Sequence, residues 1–224
     1  MDIVEAITKR KSIRSYKDEP VSKQVLTEIL TTACQAPSSV NSQPWEFAVL
    51  SGEILEKVKQ VNIELLRSGK KSNPDFDLPG LPRKTVYHER QVEIAMQLFK
   101  LMDIPREDKV KRFQWMERGF RFFDAPAAII LMIDRILFES QPFLDIGSIM
   151  QTICLTAMKY GLGTCIEDQG IQYPDEIRKI ADIPDSKLMV ISIAIGYPDW
   201  NFPANKVKST RVPLNEITMW CGFD

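Results

Sequence analysis

The chain has 224 residues, of which 44% are hydrophobic and 26% are charged, and its formal net charge is −1. This composition is typical of a soluble globular protein with one sizeable core, and it argues against a nucleic-acid partner or an acidic membrane surface. No apolar run reaches the roughly 20 residues that a membrane helix needs. The first residues are partly acidic and lack a continuous apolar region, so we expect no signal peptide and a cytoplasmic protein.

The number and spacing of the cysteines and histidines argue against histidine-based catalysis and against a metal site. The four cysteines are far apart and form no paired motif, so we expect buried free thiols rather than a metal site or a disulfide framework. The chain has one histidine, His88, which leaves almost nothing for a Ser-His-Asp triad or a multi-histidine metal site. If the protein is an enzyme, a bound cofactor carries the chemistry. We therefore assign no catalytic residue and no metal.

The predicted elements, taken in chain order, describe one α+β domain over residues 1–224. Apolar periodicity and capping residues predict helices over residues 3–9, 22–35, 51–65, 84–102, 106–118, 143–160 and 174–181. Short apolar runs predict buried strands over residues 47–50, 127–133, 164–166 and 188–195. In the first helix, Ile3, Val4 and Ile7 are expected to face inward.

A loop rich in short polar side chains separates the second helix from the first strand, at residues 36–45. Its hydroxyls and carboxamides donate and accept hydrogen bonds without charge, which suits a ligand rich in hydroxyl and imide groups. Serine, asparagine and proline also simply form turns. Composition alone does not separate these two interpretations.

A basic run at residues 9–14 follows the first helix. Lysine and arginine at a helix C-terminus agree with the macrodipole. The charges continue beyond the helix end, however, and side chains of one sign repel unless an anion lies among them. The run therefore indicates a phosphate site, with a purely structural role as the alternative.

The segment at residues 69–118, named here the helical insertion, leaves the predicted core. It begins with a turn-rich stretch and continues into two polar helices that carry methionine and aromatic side chains. A lid over a pocket and a solvated structural insertion explain it equally well. The tail, residues 196–224, is broken by prolines and carries aromatic side chains, which must pack on the core or on a second subunit.

Three separated strings resemble the FMN-dependent nitroreductase family. They are Arg-Lys-Ser-Ile-Arg at residues 10–14, Pro-Ser-Ser-Val-Asn-Ser-Gln-Pro-Trp at residues 37–45, and Lys-Ser-Thr-Arg-Val-Pro at residues 208–213. Their order and spacing agree with that family over essentially the whole chain outside the helical insertion. The resemblance implies an α+β fold with a central, mostly antiparallel sheet flanked by helices. It also implies an intertwined homodimer with two FMN molecules at the subunit interface.

The resemblance also implies which residues hold FMN. The 5′-phosphate would be bound by Arg10, Ser12, Arg14, Lys208 and Arg211, with Lys11 contributing through its backbone. Forked arginine donors suit a phosphate dianion. From the other subunit, the flavin would be covered by Pro37, Ser38, Ser39 and Asn41.

Two segments depart from the family patterns. Residues 165–168 fall where the family's backbone approaches flavin N5. Ile166 is expected to belong to this part of the flavin site, and either Glu167 or Asp168 is expected to face N5. Ahead of residue 124, where some members place an asparagine, this chain has Arg118 and Arg121. One of these arginines is expected near the flavin pyrimidine edge, where a positive charge stabilises the anion formed on reduction. The alternative is a solvated or salt-bridged arginine.

The resemblance implies an oxidoreductase that takes electrons from NADH or NADPH and reduces nitroaromatics, quinones or similar small acceptors by ping-pong hydride transfer. The chain has no Gly-x-Gly-x-x-Gly motif, so the nicotinamide is expected to share the acceptor's pocket. Alternatives are reductive dehalogenation or enone reduction on the same scaffold, or a flavin-binding protein without enzymatic activity. The sequence does not decide the physiological acceptor or the nicotinamide preference.

Overall fold

The computed structural model describes residues 2–77 and 80–223. Within these residues four strands form one antiparallel sheet in the order β1-β2-β4-β3. The strands are β1 Glu46–Ser51, β2 Ala127–Asp134, β3 Gly163–Glu167 and β4 Lys187–Gly196. The α+β class and the antiparallel sheet predicted from the sequence are therefore confirmed.

Helices cover both faces of the sheet. They are α1 Ile3–Lys9, α2 Lys23–Ala33, α3 Gly52–Arg67, α4 Val86–Leu101, α5 Lys109–Phe120, α6 Phe143–Lys159 and α7 Pro174–Ala181. One core cluster joins α2 and α6 to Ile129 and Leu131 of β2, and a second joins α3 and α7 to Ala128 and Ile130. Because β2 is covered on both faces, its sequence is a continuous apolar run.

Several expectations about burial are wrong for this chain. In α1, Ile3, Val4 and Ile7 are 52–66% exposed and only Ala6 is buried. Strand β1 was expected to be buried, but it lies at the sheet edge with one pairing partner, and Val49 is 40% exposed. Of the free thiols, those of Cys154 and Cys165 are buried, Cys34 is partly exposed and Cys221 is exposed. Sequence periodicity identifies an apolar face but does not say what covers it.

The helical insertion contains α4 and α5, close to the two predicted helices, and its start is tied to the core. The Asp75 carboxylate accepts hydrogen bonds from the Met189 backbone N–H at 2.8 Å and from the Arg178 guanidinium. In the tail, Trp200, Trp220 and Phe223 are 59–74% exposed. The expectation that aromatic side chains of the tail pack on the core of their own chain is therefore wrong for these three. No helix within the described ranges is long and apolar enough to span a membrane.

Candidate functional site

Five basic residues from the two ends of the chain line one cavity. The cavity measures about 540 Å³, and its basic lining residues beyond Lys9 are Arg10, Lys11, Lys208 and Arg211. Among the described residues that line it, none carries a carboxylate. Burial lowers the pKa of Lys11, and the charges of Arg14 and Lys208 lower it further. This group is named here the cation cavity. Lys9 is ion-paired with Glu5 at 2.5 Å, outside the lining, and the other four basic side chains have no carboxylate partner among the described residues.

The segment that follows the cation cavity runs beside β3. Ser12 forms a parallel bridge with Thr164, and the Ile13 backbone N–H donates to the Thr164 carbonyl at 2.9 Å. Ile13 is buried at 1% exposure, and it packs so closely on Gly163 that a Cβ there would collide with it. Ser12 and Arg14, the two neighbours of Ile13 that were expected to bind the phosphate, are not among the residues that line the cation cavity.

Asn205 fixes the other side of that segment. Its side chain is buried at 1% exposure, and its Oδ1 accepts the Arg14 backbone N–H at 2.6 Å. Its Nδ2 donates to the carbonyls of Ser15 at 2.9 Å and Asp199 at 2.8 Å. One buried carboxamide thus ties the basic segment to the tail that supplies Lys208. Nothing in the sequence of a proline-broken tail distinguishes this asparagine from a turn residue.

The two candidate arginines, Arg118 in the last turn of α5 and Arg121 directly after this helix, have partly different surroundings. Arg118 donates from Nη2 to the Arg14 carbonyl at 3.1 Å, pairs with Asp124 at 2.9 Å and lies over the ring of Phe202 at 4.7 Å. Its Nε is buried and has no hydrogen-bond partner within the described residues. Burial lowers the pKa of this guanidinium.

Arg121 shares Asp124 with Arg118 and has a second ion-pair partner. It contacts Asp124 at 2.7 Å and Glu117 at 3.9 Å, and it lines a separate cavity against α3. Both candidate arginines are thus salt-bridged to Asp124, and Arg118 in addition contacts the Arg14 carbonyl.

The end of β3 contains a buried carboxyl group. The Glu167 side chain is turned inward, where it accepts the Gly170 backbone N–H at 2.7 Å and contacts the Ser192 hydroxyl. Burial raises the pKa of Glu167 to about 7. Ile166 and Asp168, on either side, are partly exposed. On Cys165, burial raises the thiol pKa to about 12, so this group stays protonated at neutral pH.

The polar loop before β1 lies apart from the cation cavity. None of Pro37, Ser38, Ser39 or Asn41 lines that cavity in this chain. The loop is attached instead to the start of α6, because the Ser39 backbone N–H donates to Asp145 at 3.1 Å. Val40, which is 96% exposed, has a φ of +46°.

An α+β protein with a cavity beside an edge strand that is lined by basic side chains, and by no carboxylate among the described residues, is equipped to bind an anionic ligand. Comparison with known proteins narrows this class. The model of the Nitroreductase family matches residues 7–197. A nitrobenzene nitroreductase of Ectopseudomonas oleovorans is 34% identical over 96% of this chain and 95% of its own length. A 4-nitrobenzoate reductase of Pseudomonas putida is 30% identical over 100% and 97%, respectively.

Among solved structures, the chain is similar to the FMN- and NADPH-dependent nitroreductase NfnB of Sphigopyxis sp. strain HMH. The TM-score is 0.93 and the identity 28%, with both chains covered completely. This chain therefore belongs to the nitroreductase family.

Proposed function

We propose that this protein is an FMN-dependent oxidoreductase that uses NADPH or NADH to reduce nitroaromatics, quinones or similar small acceptors. The proposal draws support from relatives named for nitrobenzene and 4-nitrobenzoate, and from a similar structure named for FMN and NADPH. When bound, FMN supplies hydride chemistry between a nicotinamide and an acceptor. The chain itself has to bind FMN, orient the donor and the acceptor against it, and shield the reaction from water. It needs no nucleophile of its own.

The cation cavity is the observation that carries the proposal. A phosphate dianion requires several guanidinium and ammonium donors, and the cavity offers Arg10, Lys11, Lys208 and Arg211 without a competing carboxylate. Lys11, whose pKa is lowered by burial and by its basic neighbours, gains a counter-ion when an anion binds. The donor set therefore fits the 5′-phosphate of FMN.

The residues between the cavity and β3 fit the remainder of the cofactor. Ser12 and Arg14, next to the cavity residues in the chain, would add donors to the phosphate, and the backbone of Ile166, Glu167 and Asp168 would lie against the flavin ring. Because the Glu167 carboxylate is turned inward, its backbone or Asp168 is left to face N5. Arg118 would offer its unpartnered Nε and its positive charge to the pyrimidine edge. Arg121 would remain in its ion pairs.

A second subunit would complete the site as an intertwined homodimer. The loop that contains Pro37, Ser38, Ser39 and Asn41 would cover the flavin of the partner subunit, where short side chains avoid blocking the ring. The exposed apolar side chains of α1 and of the tail are the surfaces that such a dimer would bury. Each protomer would be one domain over residues 1–224, with the helical insertion roofing the acceptor pocket. We propose that the protein acts in the cytoplasm, where it would meet NADH and NADPH.

The first experiment is a visible absorption spectrum of the purified protein, followed by heat release and chromatography of the chromophore. We expect flavin bands, release of FMN, and steady oxidation of NADPH or NADH with nitrobenzene, 4-nitrobenzoate or menadione. A colourless protein that takes up no added FMN would contradict the proposal. Flavin binding without turnover would identify a non-enzymatic flavin protein, and turnover only with an iodophenol or an enone would identify the other chemistries.

The dimer is tested separately by light scattering coupled to gel filtration. We expect a mass of twice the 25.7 kDa of the chain. A monomer that retains FMN and full turnover would contradict the shared site.

A further inference from the structure

Asn62 is a fully buried carboxamide in the middle of α3, with 0% exposure. Its Nδ2 donates to the Phe120 carbonyl at 3.0 Å and to the Gly170 carbonyl at 2.8 Å. Its Oδ1 has no hydrogen-bond partner within the described residues. A buried acceptor without a partner lowers stability, so an apolar side chain of similar size would serve packing alone at least as well. The two donated bonds are therefore the reason to look for a role.

Those two bonds join parts of the molecule that already fit tightly together. A Cβ added to Gly119 in the last turn of α5 would collide with Gln169, and a Cβ added to Gly170 would collide with Phe122. The backbone of Gly170 is held at both ends, because its N–H donates to Glu167 and its carbonyl accepts from Asn62. The last turn of α5 and the loop after β3 thus form one unit, named here the α5–β3 junction.

Both halves of the junction lead to the candidate flavin site. The last turn of α5 carries Arg118, which contacts the Arg14 carbonyl. The loop after β3 continues directly from Glu167 and Asp168. The two hydrogen bonds of Asn62 go to residues that do not line the cation cavity. We therefore expect Asn62 to act through Arg118 and the loop after β3 rather than through the phosphate donors.

We propose that Asn62 is a positioning residue that holds the α5–β3 junction in one arrangement and thereby sets how Arg118 and the backbone after Glu167 lie against the flavin. This inference rests on the proposed function. The inference assigns the affinity for FMN and the redox behaviour of bound FMN to different parts of the site. Affinity for FMN follows the cation cavity, whereas the two-electron midpoint potential, the visible spectrum and the rate of reduction by NADPH follow the junction.

The test compares the FMN-loaded wild type with Asn62→Asp and Asn62→Ala. Asn62→Asp keeps the size of the side chain and replaces the two N–H donors by at most the one O–H donor of a protonated carboxyl, and Asn62→Ala removes the side chain. We expect FMN affinity close to that of the wild type, a shifted potential and spectrum, and reduction by NADPH slowed by about tenfold, which corresponds to about 1.4 kcal/mol in the barrier. The matched control is Ile29→Ala, which removes a fully buried side chain of α2 outside the junction.

Ile29→Ala is expected to lower the melting temperature while the potential, spectrum and reduction rate stay at wild-type values. If both Asn62 variants lose stability but leave these three readouts unchanged, Asn62 is merely structural and the inference fails. If neither variant folds, Gly119→Ala disturbs the same junction from the side of α5 and should shift the same readouts. A wild type that binds no FMN would instead contradict the proposed function, before any variant is compared.

Discussion

Asn205 accepts the backbone N–H of Arg14 at 2.6 Å, although 191 positions separate them in the chain. This bond and the two that Asn205 donates hold the basic segment against the tail, so that the cation cavity has walls from both ends of the chain. The cavity is therefore built before any ligand arrives. Binding an anion there does not have to order either wall, which favours affinity.

Asn205→Ala should destabilise the protein and weaken FMN binding together. It removes three hydrogen bonds of a buried side chain and leaves the Arg14 N–H without its acceptor, so we expect a loss of about 2–4 kcal/mol in the free energy of unfolding. Urea denaturation and FMN titration measure the two effects. Asn201→Ala, at an exposed position of the same tail, is the control. An Asn205→Ala variant as stable as the control would refute the assigned role.

Lys208→Ala should weaken FMN binding with little effect on folding. Lys208 is exposed and lines the cation cavity, and one charged phosphate contact contributes roughly 1.5–3 kcal/mol, or about 10- to 150-fold in Kd. The effect should shrink as salt is raised, because the contact is screened. Fluorescence titration of FMN at low and high salt measures both the change in Kd and its dependence on salt. Lys206→Ala removes an exposed lysine outside the cavity, and equal losses in the two variants would count against a specific phosphate contact.

Val40→Asn should raise the melting temperature. Val40 has a φ of +46°, a left-handed conformation that costs a non-glycine residue about 1–2 kcal/mol and that asparagine tolerates better. Since the side chain is 96% exposed, little packing is lost. We expect an increase of about 2 °C, measured by differential scanning calorimetry on the FMN-free protein. Val40→Ala, which keeps a Cβ without the tolerance of asparagine, should gain less, and a lower melting temperature for Val40→Asn would argue against strain here.

Glu167→Gln should flatten the dependence of stability on pH. Burial raises the pKa of Glu167 from 4.5 to about 7, so the folded state holds a proton that the unfolded state releases. The contribution of this group to stability is full below about pH 4.5 and is lost as the pH rises to about 7. Between pH 5 and pH 8 the wild type should therefore lose more free energy of unfolding than Glu167→Gln. Equal losses, measured by denaturant titration at both pH values, would show that Glu167 is already ionised at pH 5.

The elements were predictable where local chemistry determines them. Strand β2 was visible as a continuous apolar run because both of its faces are buried. Helix α7 has the predicted bounds, because Pro174 occupies its first position and Asp182 ends it in a left-handed conformation. The charge pattern at residues 9–14 indicated an anion site, and in the structure Arg10 and Lys11 line a cavity with basic residues of the tail.

The parts that were missed depend on contacts between distant residues. Asn205 and Asp145 are ordinary loop and helix residues until the fold supplies their partners, Arg14 and Ser39. Asn62 left a weak signal, because it lies one turn after Val58 on the apolar face of α3, where an unpaired carboxamide is costly. The exposure of Ile3 could not be foreseen, since periodicity is the same whether an apolar face meets its own core or another chain.

The collision between a Cβ at position 119 and Gln169 sets the C-terminal end of α5 apart from the helical insertion that precedes it. Almost no side-chain volume can be added at Gly119, whereas α4 exposes Val92 and Met96 and the start of α5 exposes Val110. Variation in these outward positions leaves the core intact. If the helical insertion roofs the acceptor pocket, as proposed, selection for a new acceptor can act along α4 and the first turns of α5 without disturbing the contact between Gly119 and Gln169, so that acceptor range and flavin chemistry can change separately.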